Sequence, residues 1–159
     1  MDKVRILTYS SNNIMNQLTS YVYVGKKEDD LIDKNRFICI WDTGASVSCI
    51  TSNIVEKYNL TPIGKSDFFT GGNRESKLTD VYSIDLMFRD NFVFNNLRVL
   101  EIEKHDVFDI IIGMDIISKG DFAVSNLNGK TSFSFRIPSF GTANFLNEYE
   151  LYDNSDQEN

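Results

Sequence analysis

The chain has few of the residues on which metal and thiol chemistry depend. Its 159 residues include one histidine, two cysteines and two prolines. His105 stands in a polar stretch with no metal-ligand spacing around it, which favours a solvated side chain. Cys39 and Cys49 lie in apolar, strand-like runs with no histidine near enough for a cysteine nucleophile, so we expect buried free thiols. We therefore expect neither a metal nor a cofactor.

Long apolar runs and an excess of positive charge are also missing. No stretch approaches the roughly 18 apolar residues of a membrane span, and Met1–Arg5 does not lead into the apolar core of a signal peptide. We accordingly expect a cytoplasmic protein that does not contact a membrane. The formal net charge of −7 disfavours nucleic acid as a partner, because phosphate binding needs a basic surface.

The residues that are abundant indicate a β-rich globular domain. Hydrophobic residues make up 42% of the chain, with twelve Phe and seven Tyr, and aromatic residues favour strands. The length can bury a sizeable core in one domain. We predict a domain over residues 1–143 and an acidic, disordered tail over residues 144–159.

A short apolar run is followed by one acidic residue and then by a Thr-Gly turn. Phe37–Trp41 is typical of a strand buried on both faces, and Asp42, Thr43 and Gly44 follow it. Gly44 permits a tight turn and close approach of a ligand to the backbone. Three residues alone fit a surface turn as well as a catalytic site, because short motifs match by chance.

A second apolar run lies about seventy residues later. Phe108–Ile112 predicts another buried strand, which ends at Gly113. Asp115 then precedes Ile116 and suits the N-cap of a short helix that ends at Gly120.

Together these two stretches resemble the retropepsin-like aspartic protease family. Residues 41–46 read Trp-Asp-Thr-Gly-Ala-Ser and residues 111–115 read Ile-Ile-Gly-Met-Asp, in the order that the family has. The resemblance covers Leu18 to about Ile137. It implies a mainly β fold, a closed barrel corresponding to half of an acid protease, with one or two short helices and a flap hairpin over the active site.

The resemblance also implies the activity and the roles of individual residues. The family hydrolyses peptide bonds with two aspartates that activate a water, and its members with one motif are homodimers. Asp42 would be the catalytic residue in each subunit, supported by Thr43 and Gly44 and acting on an extended peptide or protein. The implied substrate-binding residues are Gly44, Ala45, Ser46, Gly71, Gly72 and Ile112. The alternative is a catalytically silent module of the same fold that dimerises or binds extended peptides.

The flap is predicted from a Gly pair between two strand-like segments. Phe68–Thr70 and Val81–Leu86 flank Gly71 and Gly72, and glycine provides the backbone freedom that a moving hairpin needs. An ordinary polar-tipped hairpin fits the same residues. Further along, Asn95-Asn96 predicts a turn between two strands, and Asn128-Gly129 predicts a type I′ hairpin.

Three positions depart from the viral members of the family. Ser46 and Val47 stand where those members carry acidic residues, and Met114 stands in place of an arginine. These differences favour a bacterial, phage or cellular-type member. Ala45 lacks the hydroxyl that a serine would offer the catalytic carboxylate, so we expect activity nearer neutral pH than in pepsin-like relatives.

Overall fold

The chain folds mainly into strands, as its composition predicts. The computed structural model describes residues 4–25, 35–69, 76–89 and 92–146. These residues form ten strands and two short helices: β1 Arg5–Ser10, β2 Thr19–Gly25, β3 Phe37–Trp41, β4 Cys49–Thr51, α1 Ser52–Tyr58, β5 Gly64–Phe69, β6 Ser76–Met87, β7 Val93–Ile102, β8 Ile110–Ile112, α2 Met114–Ile117, β9 Asp121–Leu127 and β10 Lys130–Ile137. The predicted flap glycines Gly71 and Gly72 and most of the predicted tail lie outside the described residues.

Two sheets make up the fold. The larger has seven strands in the order β2-β3-β8-β4-β7-β6-β5, and β2 also pairs with β6, so this sheet curls back on itself. The β3–β8 and β4–β7 pairs are parallel. The smaller sheet has the antiparallel order β1-β10-β9. The expected mainly β fold with short helices is therefore confirmed.

Aromatic side chains fill the space between the two sheets. Trp41 of β3 packs against Phe133 and Phe135 of β10, with ring centroids 6.1 and 5.3 Å apart. Phe92 and Phe94 contact Phe135 from the other side. Large rings bury much apolar surface and prefer such offset and edge contacts. This cluster attaches the smaller sheet to the strand that precedes Asp42.

Two turn predictions have different outcomes. Asn128 and Gly129 have φ angles of 52° and 73° and connect β9 to β10, which agrees with the type I′ prediction. The turn predicted at Asn95-Asn96 is wrong, because β7 runs through it without a break. Asn96 has a φ of 54° opposite a register shift between Ile84 and Leu86. A bulge thus accommodates the left-handed residue within the strand.

The helix predicted after the second apolar run also differs in detail. It begins at Met114 with Gly113 as the N-cap, and it ends at Ile117. The N-cap role predicted for Asp115 is therefore wrong. Asp115 lies in the first turn, where its carboxylate accepts a hydrogen bond from the Ser48 hydroxyl at 2.7 Å. A carboxylate in the first turn also interacts favourably with the helix dipole.

Both cysteines are buried and free, as predicted. Burial raises the pKa of each thiol to about 12, so thiolate chemistry at neutral pH is suppressed. No helix in the described part of the chain is both long and apolar enough to cross a membrane.

Asp121 fixes the segment that follows β10. Its carboxylate accepts hydrogen bonds from the Phe140 N–H at 2.8 Å, the Ser139 hydroxyl and the Arg136 Nε at 2.6 Å. These donors hold the pKa of Asp121 well below its ordinary value of 3.8, because each of them stabilises the ionised form.

Truncation of Phe135 should strongly destabilise the fold. Its side chain is fully buried among aromatic rings, so Phe135→Ala should lower the free energy of unfolding by about 3–5 kcal/mol. Urea unfolding followed by fluorescence measures this change. Phe140, which is 76% exposed, provides the control: Phe140→Ala should change stability by less than about 0.5 kcal/mol. Equal effects of the two variants would contradict this description of the core.

Replacement of Asp121 should make stability less sensitive to acid. A carboxylate whose pKa is depressed by folding stabilises the protein above its unfolded pKa, and the contribution is lost as the pH falls below that value. Asp121→Asn should therefore lower the urea midpoint at pH 7, and the difference from wild type should shrink as the pH falls below 3.8. Urea titrations at pH 7, 5, 4 and 3 measure it. A difference that stays constant with pH would contradict this account.

Candidate active site

Asp42 stands directly after the central strand β3, which is fixed on both sides. The Trp41 N–H donates to the Leu18 carbonyl at 2.8 Å, and the Asp42 N–H donates to the Ile112 carbonyl at 3.0 Å. Because β3 is hydrogen-bonded between β2 and β8, the backbone of Asp42 has little freedom to move.

The turn after Asp42 is organised by the aspartate itself. The Gly44 N–H donates to Asp42 Oδ1 at 2.8 Å, and the Ala45 N–H donates to the Asp42 carbonyl at 3.2 Å. A Cβ on residue 44 would stand 3.1 Å from that carboxylate oxygen, which explains why a glycine suits this position. Asp42 is half-buried, whereas Thr43, Gly44 and Ser46 are exposed.

The second predicted motif, around Gly113, is hydrogen-bonded to this turn and to the residues that follow it. The Met114 N–H donates to the Ala45 carbonyl at 2.8 Å, and the Gly113 N–H donates to Ser48 Oγ at 3.0 Å. A Cβ on Gly113 would lie 2.7 Å from the backbone carbon of Val47, so no larger residue fits without a shift of the backbone. The two motifs, distant in the sequence, thus form one packed unit.

Trp41 connects this unit to the smaller sheet. Its ring stacks on Phe122 of β9 at a centroid distance of 5.5 Å and an interplanar angle of 9°. Its indole N–H donates to Ser20 Oγ at 3.0 Å, and that oxygen is 3.0 Å from the Cys39 sulfur. An indole N–H that has a hydrogen-bond partner can be buried at little cost in free energy. Trp41 can therefore pack fully beneath the turn.

Asp42 borders a surface cavity of about 370 Å³, whose walls include Thr43, Leu18, Phe108 and Ile111. Asn16 and Gln17 also line this cavity, so it presents polar as well as apolar groups beside the aspartate. An open aspartate in such a cavity can hold a water and accept its proton, which is the position that a general base requires.

A larger cavity of about 870 Å³ lies beneath the β5–β6 hairpin. Phe68, Ile102 and Ile111 line it, and all three pack on a small buried cluster beneath. At its edge Lys77 pairs with Glu103 at 2.8 Å. Ile111 borders both cavities.

The structure brings together most of the residues that the sequence selected. Asp42, Thr43, Gly44, Ala45 and Ser46 follow one another on the turn. Across the chain, β5 and β6 pair as the arms of the expected hairpin, with Phe69 opposite Ser76, while the predicted contact residues Gly71 and Gly72 belong to the connection outside the described residues.

Ile112 is placed differently from the other predicted contact residues. Its side chain is 0% exposed and faces the core, and only its carbonyl contacts Asp42. The neighbouring residue Ile111 reaches both cavities instead, and sequence reasoning missed it. Strand alternation puts Ile111 on the face opposite to Ile110 and Ile112, but only the structure shows that the face of Ile110 and Ile112 is the buried one.

Thr43 presents an open hydroxyl next to the aspartate. The residue is exposed, and within the described part of the chain its hydroxyl has no hydrogen-bond partner. The hydroxyl is free to bond to a group outside this protomer.

Three solved structures show similarity to this chain. A retropepsin-like aspartic protease from Rickettsia conorii is 11% identical over 84% of this chain and 95% of its own, with a TM-score of 0.52. The EIAV protease complexed with the inhibitor HBY-793 is 18% identical over 68% of this chain and 91% of its own, with a TM-score of 0.45. The retroviral protease-like domain of Ddi1 from Leishmania major is 15% identical over 67% and 80% of the two chains, with a TM-score of 0.41.

The Rickettsia structure supports the fold, since at 11% identity the likeness extends no further. No curated protein matches the chain. The family model described as aspartyl protease matches residues 31–116, which is more than half of the chain and includes both the Asp42 turn and the Gly113 motif. The chain therefore belongs to the aspartyl protease family, and its fold is retropepsin-like.

Proposed function

We propose that the protein is an aspartic endopeptidase that acts as a homodimer on extended peptides or proteins. Each subunit contributes one Asp42, and the two carboxylates form the catalytic pair. The observation that carries the proposal is the half-buried Asp42 on a turn held by two motifs and open to a cavity lined by both polar and apolar side chains.

The chemistry requires two carboxylates that share one proton. One carboxylate takes a proton from the attacking water, and the other donates a proton to the carbonyl oxygen of the substrate. The oxygen of the water bonds to the carbonyl carbon and gives a tetrahedral diol. The C–N bond then breaks as the first carboxylate passes its proton to the nitrogen and the second carboxylate takes a proton back from the diol, which releases an amine and a carboxylic acid and restores the pair. Two like charges a few ångström apart cannot both ionise comfortably, so the pair holds the proton that the reaction needs.

A second copy of the chain is the simplest source of the second carboxylate. The sequence has one Asp-Thr-Gly, because residues 69–71 lack the aspartate and residues 114–116 lack the Thr-Gly. A two-fold axis near the turn would place Asp42 beside its own equivalent. The free hydroxyl of Thr43 suits a hydrogen bond across that axis.

The cavities support an extended peptide as the substrate. The cavity at Asp42 and the larger one beneath the hairpin share Ile111 as a lining residue, so they offer two neighbouring places for substrate side chains. Phe68, Phe108 and Ile111 offer apolar walls for substrate side chains. Exposed backbone at Gly44 can bond to the substrate main chain, as in recognition by strand addition.

Removal of the Asp42 carboxylate should abolish hydrolysis. Asp42→Asn deletes the general base and should reduce the rate on a peptide library by at least about 10²–10⁴-fold. The variant should also inhibit the wild type when the two are mixed, because a mixed dimer has a single carboxylate. The measurement is cleavage of a peptide library, read by mass spectrometry at pH 4 to 8, against increasing Asp42→Asn.

The control is Asp106→Asn, which removes an exposed carboxylate elsewhere and should neither lose activity nor inhibit. Full activity in Asp42→Asn would overturn the mechanism. Loss of activity without any inhibition of the wild type would leave Asp42 essential but would argue against a shared pair. Wild type that never cleaves a peptide would favour a silent binding module.

Introduction of a hydroxyl at position 45 should extend activity to lower pH. Ala45 follows the Asp42 turn closely, with its N–H on the Asp42 carbonyl. A serine hydroxyl that donates to the ionised aspartate would stabilise that form by about 1.5–3 kcal/mol, so the acid limb of kcat/KM should move down by about one to two pH units. The pH–rate profile of Ala45→Ser measures this shift. Ala45→Val adds bulk without a hydroxyl and should leave the limb in place, and an unmoved limb in Ala45→Ser would refute the idea.

A further inference from the structure

The loop that joins β7 to β8, residues 103–109, contains a stacked pair of rings. His105 and Phe108 lie with their ring centroids 4.0 Å apart and an interplanar angle of 21°. The Val107 N–H donates to His105 Nδ1 at 3.2 Å, so the backbone of the loop orients the imidazole. Stacking of two rings is favourable beyond the area that it buries. The imidazole is therefore an oriented support for the Phe108 ring.

The ring of Phe108 depends on this support, because the core does not hold it. Phe108 is half-buried, and it belongs to neither of the hydrophobic clusters that the described part of the chain forms. The backbone that follows it is fixed instead by strand β3. The Asp109 N–H donates to the Ile38 carbonyl at 2.8 Å, and Asp109 Oδ2 accepts from the Ile38 N–H at 3.1 Å. Strand β3 thus fixes the main chain beside Phe108, while His105 contacts its ring.

The stacked pair has one ring at each of the two cavities. Phe108 lines the cavity of about 370 Å³ that Asp42 borders, and His105 lines the cavity of about 870 Å³ beneath the hairpin. A few well-placed side chains in the wall of a cavity determine which ligand groups it accepts. The direction of the Phe108 ring therefore affects how much room remains beside Asp42.

We propose that His105 is a positioning residue for substrate selection. Its ring holds Phe108 at the wall of the Asp42 cavity, and the Phe108 ring limits the size of the substrate side chain that fits there. His105 does not line the Asp42 cavity itself, so it acts through Phe108 rather than on the reacting bond. The inference rests on the proposed protease function and names a residue that sets its selectivity.

Removal of the imidazole should relax this selection. In His105→Ala the Phe108 ring can change rotamer into the vacated space, which enlarges the cavity beside Asp42. The ratio of kcat/KM for a peptide with Trp next to the cleaved bond to that for the same peptide with Ala should rise about threefold to tenfold. The change should lie in KM rather than kcat, because Phe108 contacts a substrate side chain and not the reacting bond. Cleavage of peptides in which each position in turn is Ala, Val, Leu, Phe or Trp measures the ratio.

Two further variants separate the ring from its hydrogen bond. His105→Phe keeps a ring that can stack on Phe108 but loses the Nδ1 acceptor, and it should select peptides as the wild type does. His105→Asn keeps an acceptor for the Val107 N–H but loses the ring, and it should behave as His105→Ala. Wild-type selection in His105→Ala or His105→Asn would overturn the proposal, as would relaxed selection in His105→Phe.

The matched control lies on the same loop. Asp106 is exposed and lines neither cavity, so Asp106→Ala should keep the wild-type ratio. Relaxed selection in Asp106→Ala as well would mean that any change in the loop alters the site, which would overturn a specific role of His105.

Binding of uncleaved peptides separates the role of His105 from the catalytic proposal. The same peptides are captured on immobilised Asp42→Asn, with and without His105→Ala, and are read by mass spectrometry. A shift towards Trp peptides in His105→Ala, in a protein whose wild type never cleaves, would support the role of His105 and overturn the protease proposal. Active wild type whose selection is unchanged by His105→Ala would do the reverse. A protein that neither binds nor cleaves these peptides would overturn both.

Discussion

The contact between the Asp42 turn and the Gly113 loop is the constraint on which the rest of the site depends. The Asp42 N–H bonds to Ile112, and the Met114 N–H bonds to Ala45. Between these two bonds the backbone at Gly113 and Val47 approaches so closely that a side chain at Gly113 cannot fit. Buried backbone groups must be hydrogen-bonded. Each loop provides partners for the backbone groups of the other, so neither loop can move without breaking these bonds. A catalytic carboxylate benefits from such a rigid support because chemistry needs a fixed geometry.

The aromatic core connects the Asp42 turn to the smaller sheet. Trp41 is both the last residue before Asp42 and a contact of Phe122, Phe133 and Phe135. Its indole N–H is bonded to Ser20 rather than left unpaired. One residue therefore couples the Asp42 turn to the smaller sheet, so the turn and both sheets share a single packed core.

Hydrogen bonding and contact with a cavity distinguish the carboxylate of Asp42 from that of Asp121. Asp121 and Asp115 accept hydrogen bonds from side chains around them, and each fixes a local segment of backbone. Asp42 accepts one bond from the Gly44 N–H and otherwise opens to a cavity. Asp121 uses its bonding capacity within the fold, whereas Asp42 borders a cavity and can accept a further hydrogen bond there.

The sequence by itself determined the features that depend on neighbouring residues. These are the buried strand before Asp42, the Gly44 turn, the Asn128-Gly129 hairpin and the presence of one Asp-Thr-Gly, from which the need for a second carboxylate follows. Periodicity and turn chemistry are local, so they can be read without the fold. The tertiary structure alone decided that Asn96 forms a bulge and that Ser48 bonds to Asp115. It also decided that Ile111 rather than Ile112 faces the cavities. Each of these depends on a partner strand or loop that is distant in the chain. For Ile111, the pairing of β8 with β3 and β4 fixes which face of the strand is buried.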